Sequence, residues 1–254
     1  MPINLSWRGD AILARGKNGR EKQKGKKEGT EVPTTEASGA GEKYFANVVL
    51  KSSDKSDRVL FAKENLNVRS EVWLEAIACD ELNLCYNENG TPKWSVHFGG
   101  RTPVNSITLK TWSCLSKSGC IIEEIKGKFD SAAYEQLLDK HVSKIACDIQ
   151  PRFFLQDNFP VHLAPRINHW FTKNKSLILL RLPKNSPDLM PLCLLHEVLV
   201  SELNKQEVVF SVNFSIDLNR CLQSICQSHV ESLLLEMPTT LKYIIEHNGE
   251  LRKM

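Results

Sequence analysis

The run Phe154-Leu155-Gln156-Asp157-Asn158-Phe159-Pro160-Val161-His162 constrains the fold most, together with Ser186-Pro187-Asp188-Leu189-Met190-Pro191 about thirty residues later. Arg152 to Gln156 reads as an apolar-leaning strand that runs straight into Asp157. Leu163 to Lys173 has helical spacing, and Leu177 to Leu182 reads as an apolar strand. A strand ending on a carboxylate, then a helix, then a second strand is a succession proper to an α/β domain.

The neighbouring segments fit that class. Trp73 to Cys79 reads as a buried strand ending in Asp80-Glu81. Ile107 to Leu115 and Cys120 to Ile125 read as two more strands, joined through Ser118-Gly119. Ser131 to Ala146 reads as a helix capped by Ser131, with Tyr134, Leu137, Leu138, His141, Val142 and Ile145 along one face. Pro191 to Leu203 is a helix opening with proline, and Leu218 to Leu235 is another. The expectation is a mixed five-stranded sheet flanked by helices. Between residues 46 and 72, Val48-Val49-Leu50 and Val59-Leu60-Phe61 read as short strands, in a segment that is either linker or an addition to the sheet.

Residues 1–45 are rich in Gly, Lys, Glu, Thr and Ser. Such a segment buries too little apolar surface to offset its ordering entropy and is read as a disordered basic tail. The net charge of +3 says little by itself, but from Arg15 to Lys27 there are seven Lys or Arg residues against one acid, Glu21. Lys17, Arg20, Lys22, Lys24, Lys26 and Lys27 are therefore candidate contacts to nucleic-acid phosphates, without sequence information. The same tract also reads as a nuclear-import signal or as a solvated tail. No apolar run reaches the roughly 18 residues of a membrane span, and MPINLSWRGD lacks the apolar core of a secretory signal. The eight cysteines form no CxxC pair and are read as reduced thiols of a nuclear or cytosolic protein.

Asp80 and Asp157 are the candidate chemistry-bearing pair. Cleavage of a phosphodiester by two metal ions needs carboxylates from separate elements converging on cations about 4 Å apart. Mg²⁺ and Mn²⁺ take oxygen ligands, which Asp and Glu supply and thiols do not. An Asp after a strand also serves as a turn former or helix cap, so the pair alone is a weak signal.

Five ordered segments strengthen it. AIACDELNL, LKTWSCLSKSG, FFLQDNFPVH, NSPDLMP and LLLEMPTTLKYIIEHNGEL resemble, in that order, the catalytic core of the mariner-like DDE transposases. The resemblance covers about residues 73–254 and implies an RNase H-like fold. It also implies a site of three carboxylates holding Mg²⁺ or Mn²⁺, of which Asp80 and Asp157 match the first two. The third falls on Cys193, two residues beyond the last proline of the loop. Counting from Asp157, the chain holds one residue more than the family spacing, so a strict count lands on Leu192, which is no carboxylate either. Glu197 lies one helical turn past Cys193, about 6 Å along the axis, a large offset for a metal site. His196 stands where the family has Trp, Met190 where it has Asn, and Thr239-Thr240 where it has a basic residue.

The family also carries paired helix-turn-helix modules ahead of its core, and the residues before Trp73 are too few and too polar for two of them. The resulting expectation is a transposase-derived domain without cleavage activity, acting in the nucleus through weak, non-specific DNA binding, a protein partner or a homodimer. The alternatives are a residual metal-dependent endonuclease or strand-transfer enzyme using Asp80 and Asp157, and a decaying transposon reading frame without selected function. His162 is expected to orient the loop after Asp157, and Asp188 to cap the helix that Pro191 begins. Trp94, Trp112 and Trp170 are expected in the core or at its rim.

Overall fold

The structure, a computed structural model, describes residues 48–91, 93–97, 105–145 and 153–252. The basic tract and the tail reading of residues 1–45 lie outside the described residues. Three helices and strands open the described chain: α1 (Ser52–Asn65), α2 (Ser70–Leu74) and β1 (Ile77–Tyr86). They are followed by β2 (Trp94–His97), β3 (Ile107–Ser116), β4 (Gly119–Glu124) and α3 (Ser131–Leu137). The second half holds β5 (Phe153–Gln156), α4 (Pro165–Lys173), β6 (Ile178–Arg181), α5 (Pro191–Lys205), α6 (Phe214–Ser224), α7 (Gln227–Leu235) and α8 (Met237–Glu246).

Among the described residues the sheet has six strands in the order β4-β3-β1-β5-β6, with β2 also pairing to β1. The expected five were joined by β2, a four-residue strand too short to carry a periodicity of its own. β1 pairs antiparallel with β3 and β2 and parallel with β5, and β5 pairs parallel with β6, so the sheet is mixed as expected.

Side chains on β1 alternate between the two faces. Ala78 joins the core under α5, α7 and α8, whereas Ile77 and Cys79 join the core under α3 and α4. A third cluster, built from Leu82, Leu84, Trp94, Leu199, Phe214 and Cys221, closes the far end of β1 under α5 and α6. Trp94, Trp112 and Trp170 are buried in these clusters.

Several expectations need correction. Trp73 lies on α2, and the strand starts at Ile77 and continues to Tyr86, so Asp80 sits inside β1 and not at its end. Residues 52–65 are helical, not strands: Arg58, Phe61, Ala62 and Asn65 are the buried face at helical spacing. That face is half polar, which hid the period. Asp130, not Ser131, caps α3, accepting from the backbone N–H groups of Ala132 and Ala133 at 3.0 and 3.1 Å. The helix then widens into a π turn at Leu138–Val142. The helix expected over 218–235 is broken at the extended residues Ile225 and Cys226. The break lets α6 pack on the Trp94 cluster while α7 packs on the core beneath α5. Asp188 does not cap α5; its carboxylate is committed to Arg58 and to the backbone N–H of Arg252.

Candidate functional site

A cleft of about 910 Å³ opens beside the middle of β1 and the C-terminal end of β5, lined by Asp80, Asp157 and Cys193 among others. The fold brings together the three positions singled out in the sequence. Ile77 pairs with Phe154 and Ala78 with Leu155, and the same register carried three residues further sets Asp157 alongside Asp80.

Because β1 alternates its faces, Asp80 and Glu81 point to opposite sides of the sheet. Asp80 turns toward α5, where the Cys193 thiol lies 3.9 Å from its Oδ2. Glu81 turns toward α3 and α4, where its Oε1 lies 3.0 Å from Nε2 of the buried His162. The other ring nitrogen of His162, Nδ1, is 2.7 Å from Oδ1 of Asp157. That same oxygen accepts the backbone N–H of Phe159 at 2.9 Å. The imidazole thus bridges the two carboxylates and fixes the loop after β5, as expected of His162. Glu81 as its second partner was not foreseen; the adjacent Asp80 drew the reading, and only the sheet's pleat separates their roles.

Below the bridge, the Tyr134 hydroxyl packs 2.7 Å from Oε1 of the buried Gln156, and the Tyr134 ring lies 4.6 Å from that of His162. Asn158 anchors the loop from the other side, donating to the carbonyl of Leu182 at 2.8 Å.

The electrostatics follow from these contacts. Burial opposes the charge on His162, but its hydrogen bonds to Asp157 and Glu81 outweigh burial and raise its pKa to about 10. Burial pushes Asp157 up, and the His162 and Phe159 contacts more than compensate, holding it below the usual carboxylate range. Asp80 is raised well above that range, by burial first and then by the charges of Glu81 and Asp157. Glu197 is half-buried and does not line the cleft; burial lifts it to about 7. His196 is fully buried with Nε2 3.0 Å from the Ser113 hydroxyl, and burial lowers it to about 3.

No protein-family model matches the chain. It is 25% identical over 229 residues to the Tcb1 transposable-element transposase of Caenorhabditis briggsae, covering 82% of this chain and 81% of that protein. It is 26% identical over 220 residues to the Tcb2 transposase of the same organism, covering 79% and 78%. The crystal structure of the Mos1 mariner transposase catalytic domain superposes with a TM-score of 0.62 at 16% identity, covering 80% of this chain and 98% of that one. This is a mariner-like DDE transposase-type fold.

The Mos1 paired-end complex with left transposon end matches with a TM-score of 0.64 at 16% identity, and there the present chain spans 64% of the Mos1 chain. The transposase-like core described above therefore corresponds in extent to the Mos1 catalytic domain.

Catalytic-domain structures of Mos1 were determined with Mg and with Mn. The residues of this chain do not fit such a metal pair. The side chain beside Asp80 in the cleft is the Cys193 thiol, and thiols are poor ligands for hard divalent cations. Asp157 Oδ1 is already shared between an imidazole and a backbone N–H. Among the described residues, no group of three or more His, Cys, Asp or Glu side chains gathers at metal-binding spacing. No described helix is long and apolar enough to cross a membrane.

Proposed function

We propose that this chain is a transposase-derived DDE-domain protein that does not cut DNA and acts in the nucleus by binding DNA or a protein partner. One observation carries the reading: the sulfur of Cys193, which the sequence resemblance aligns with the third acid, lies 3.9 Å from Asp80 Oδ2. Losing one of three carboxylates removes a ligand and a negative charge from a site that must hold two dications. Even changes behind the ligands cost about 10–100-fold in metal affinity or activity. His162 adds to this by placing a cationic ring between Asp157 and Glu81.

DNA binding is supported by the similarity to transposases and by the basic tract from Lys17 to Lys27, whose lysines and arginine suit phosphates. The test is nicking of supercoiled plasmid in Mg²⁺ and in Mn²⁺, comparing the natural chain with Asp157→Ala and Cys193→Glu. The expected result is no nicking by the natural chain. Nicking that disappears in Asp157→Ala would overturn the reading. Activity gained in Cys193→Glu would show a scaffold disarmed at one position.

A further inference from the structure

β6 is the last strand on its side of the sheet: it pairs with β5, and among the described residues no strand lies beyond it. The register decides which of its backbone groups are in use. The N–H of Leu182 donates to the carbonyl of Gln156 at 3.0 Å, and successive residues of a strand turn their N–H and C=O groups to opposite edges. Ile178 and Leu180 therefore bond to β5, whereas Leu179 and Arg181 turn theirs outward. No hydrogen bond from a described residue reaches these outward groups. Leu179 packs on the core under α3 and α4, and Leu180 on the opposite core. Ile178, on the Leu180 face, is left 54% exposed.

An open edge of this kind is a template for another strand, and its charge selects which. Lys173 and Lys175 are exposed just ahead of β6, and Arg181 ends it. Among the described residues no carboxylate pairs with the two lysines, and the Arg181 guanidinium donates to the neutral Asn168 amide oxygen at 2.7 Å. Arg166 and Lys184 are not counted, because Glu135 and Asp54 answer their charges. A second copy of this chain would bring the same cations to both sides of the seam. A nucleic acid would meet the lysines, but its phosphates only accept hydrogen bonds and would leave the carbonyls of Leu179 and Arg181 bare. An extended peptide alternates donors and acceptors as the edge does, and acidic side chains on it complement the cations.

We infer that β6 is a docking edge for an extended acidic segment of a partner protein. The segment adds a strand through the outward groups of Leu179 and Arg181 and sets an apolar side chain on Ile178. This rests on the protein-partner half of the proposed function and gives it a place on the fold.

The test is fluorescence anisotropy of the full chain with a labelled peptide of alternating Glu and Val, about eight residues long. Binding is expected. Methylating the backbone nitrogens of two adjacent central residues blocks both edges of the peptide and keeps its charge. It is expected to weaken binding by about 10-fold or more, while the same two methyls at the peptide's end change little. Lys173→Gln with Lys175→Gln is expected to weaken binding about 3- to 10-fold, with thermal melting as the control for folding. No binding would overturn the inference. So would equal binding of the centrally methylated peptide, which is what capture by the basic tract alone would give. Equal affinity for a peptide of alternating Lys and Val would overturn the choice of an acidic partner. If the two-lysine variant loses duplex DNA and keeps the peptide, the surface belongs to nucleic acid and the inference fails. If the chain dimerises and the peptide disperses the dimer, the edge belongs to a second copy and the inference fails likewise. Plasmid nicking would sink the non-cutting reading and leave this result standing, whereas failure of the peptide sinks only the docking edge.

Discussion

Arg58 and Asp188 form a two-pronged ion pair with both side chains fully buried, Nη1 to Oδ1 at 2.7 Å and Nη2 to Oδ2 at 2.6 Å. The guanidinium also donates to the carbonyls of Gly249 and Glu250, at 2.8 and 3.1 Å, and Asp188 accepts the Arg252 backbone N–H at 2.9 Å. One charged pair thus joins α1, the turn ahead of α5 and the stretch after α8. Breaking it from one side leaves a charge buried without its partner, so Arg58→Met is expected to cost about 3–5 kcal/mol in urea unfolding. Arg58→Met combined with Asp188→Leu should recover part of that loss. A single-variant loss under about 1 kcal/mol would show that the pair is not what holds these segments.

Gly249 accepts from Arg58 and lies in the left-handed region at φ 88°. A Cβ added there would stand 2.4 Å from the backbone carbonyl oxygen of Lys55, which cannot move without shifting α1. Gly249→Ala is therefore expected to lose about 2 kcal/mol or more. Gly119→Ala is the comparison, because its φ is also positive, at 123°, but the space around it is open. It should incur only the backbone strain, about 1 kcal/mol. Equal losses at the two positions would argue against the clash with Lys55.

Thermal melting with and without Mn²⁺ reads the third acidic position directly. Cys193→Glu puts a carboxylate beside Asp80 on buried α5, so the variant is expected to melt below the natural chain in EDTA. If the added oxygen ligand completes a cation site, Mn²⁺ at about 100 times its Kd should return about 2.7 kcal/mol. The natural chain should show no shift. A shift in the natural chain would mean that Asp80, Asp157 and Cys193 bind the ion as they stand.

Glu197 gives a pH dependence whose sign is set by burial. Its folded pKa is raised to about 7 from 4.5, so the native state holds the proton more tightly than the unfolded chain. The stabilisation is complete below about pH 4.5 and is lost as pH rises through 7. Asp80, also raised, acts in the same direction. Glu197→Gln removes only one of the two, and it should flatten the decline between pH 4.5 and 7 by on the order of 1 kcal/mol after allowing for partial solvent screening. The check is the difference in unfolding free energy between variant and natural chain at pH 4 and pH 8. A difference that does not change between them would contradict the burial argument.

Much of the core was legible in the sequence. β3, β4, β5 and α5 announce themselves through apolar runs bounded by Gly, Asp or Pro, and those signals are local. Asp157 could be named because it follows the apolar run of β5, Asp80 because the pattern reads as a strand ending there, where the strand in fact continues to Tyr86, and Cys193 only through the resemblance to the transposase core. α1 was not legible, since its inward face carries Arg58 and Asn65 among the apolar residues and so lacks the period that marks a helix. The break between α6 and α7 carries no glycine or proline; it is set by two cores pulling the helices apart.

What the sequence determined is the order of the elements and the identity of the residues at the ends of β5 and the start of α5, because hydrophobic period and turn chemistry act between near neighbours. What only the tertiary structure decided is which side chains meet. Glu81 and His162 are 81 residues apart and come together because β1 turns Asp80 to one face and Glu81 to the other. Arg58 finds Asp188 across 130 residues, and a charge can be buried in α1 only because that carboxylate waits there. Local pattern holds no record of such pairings; the packing of α1, the sheet and α5 around one another makes them.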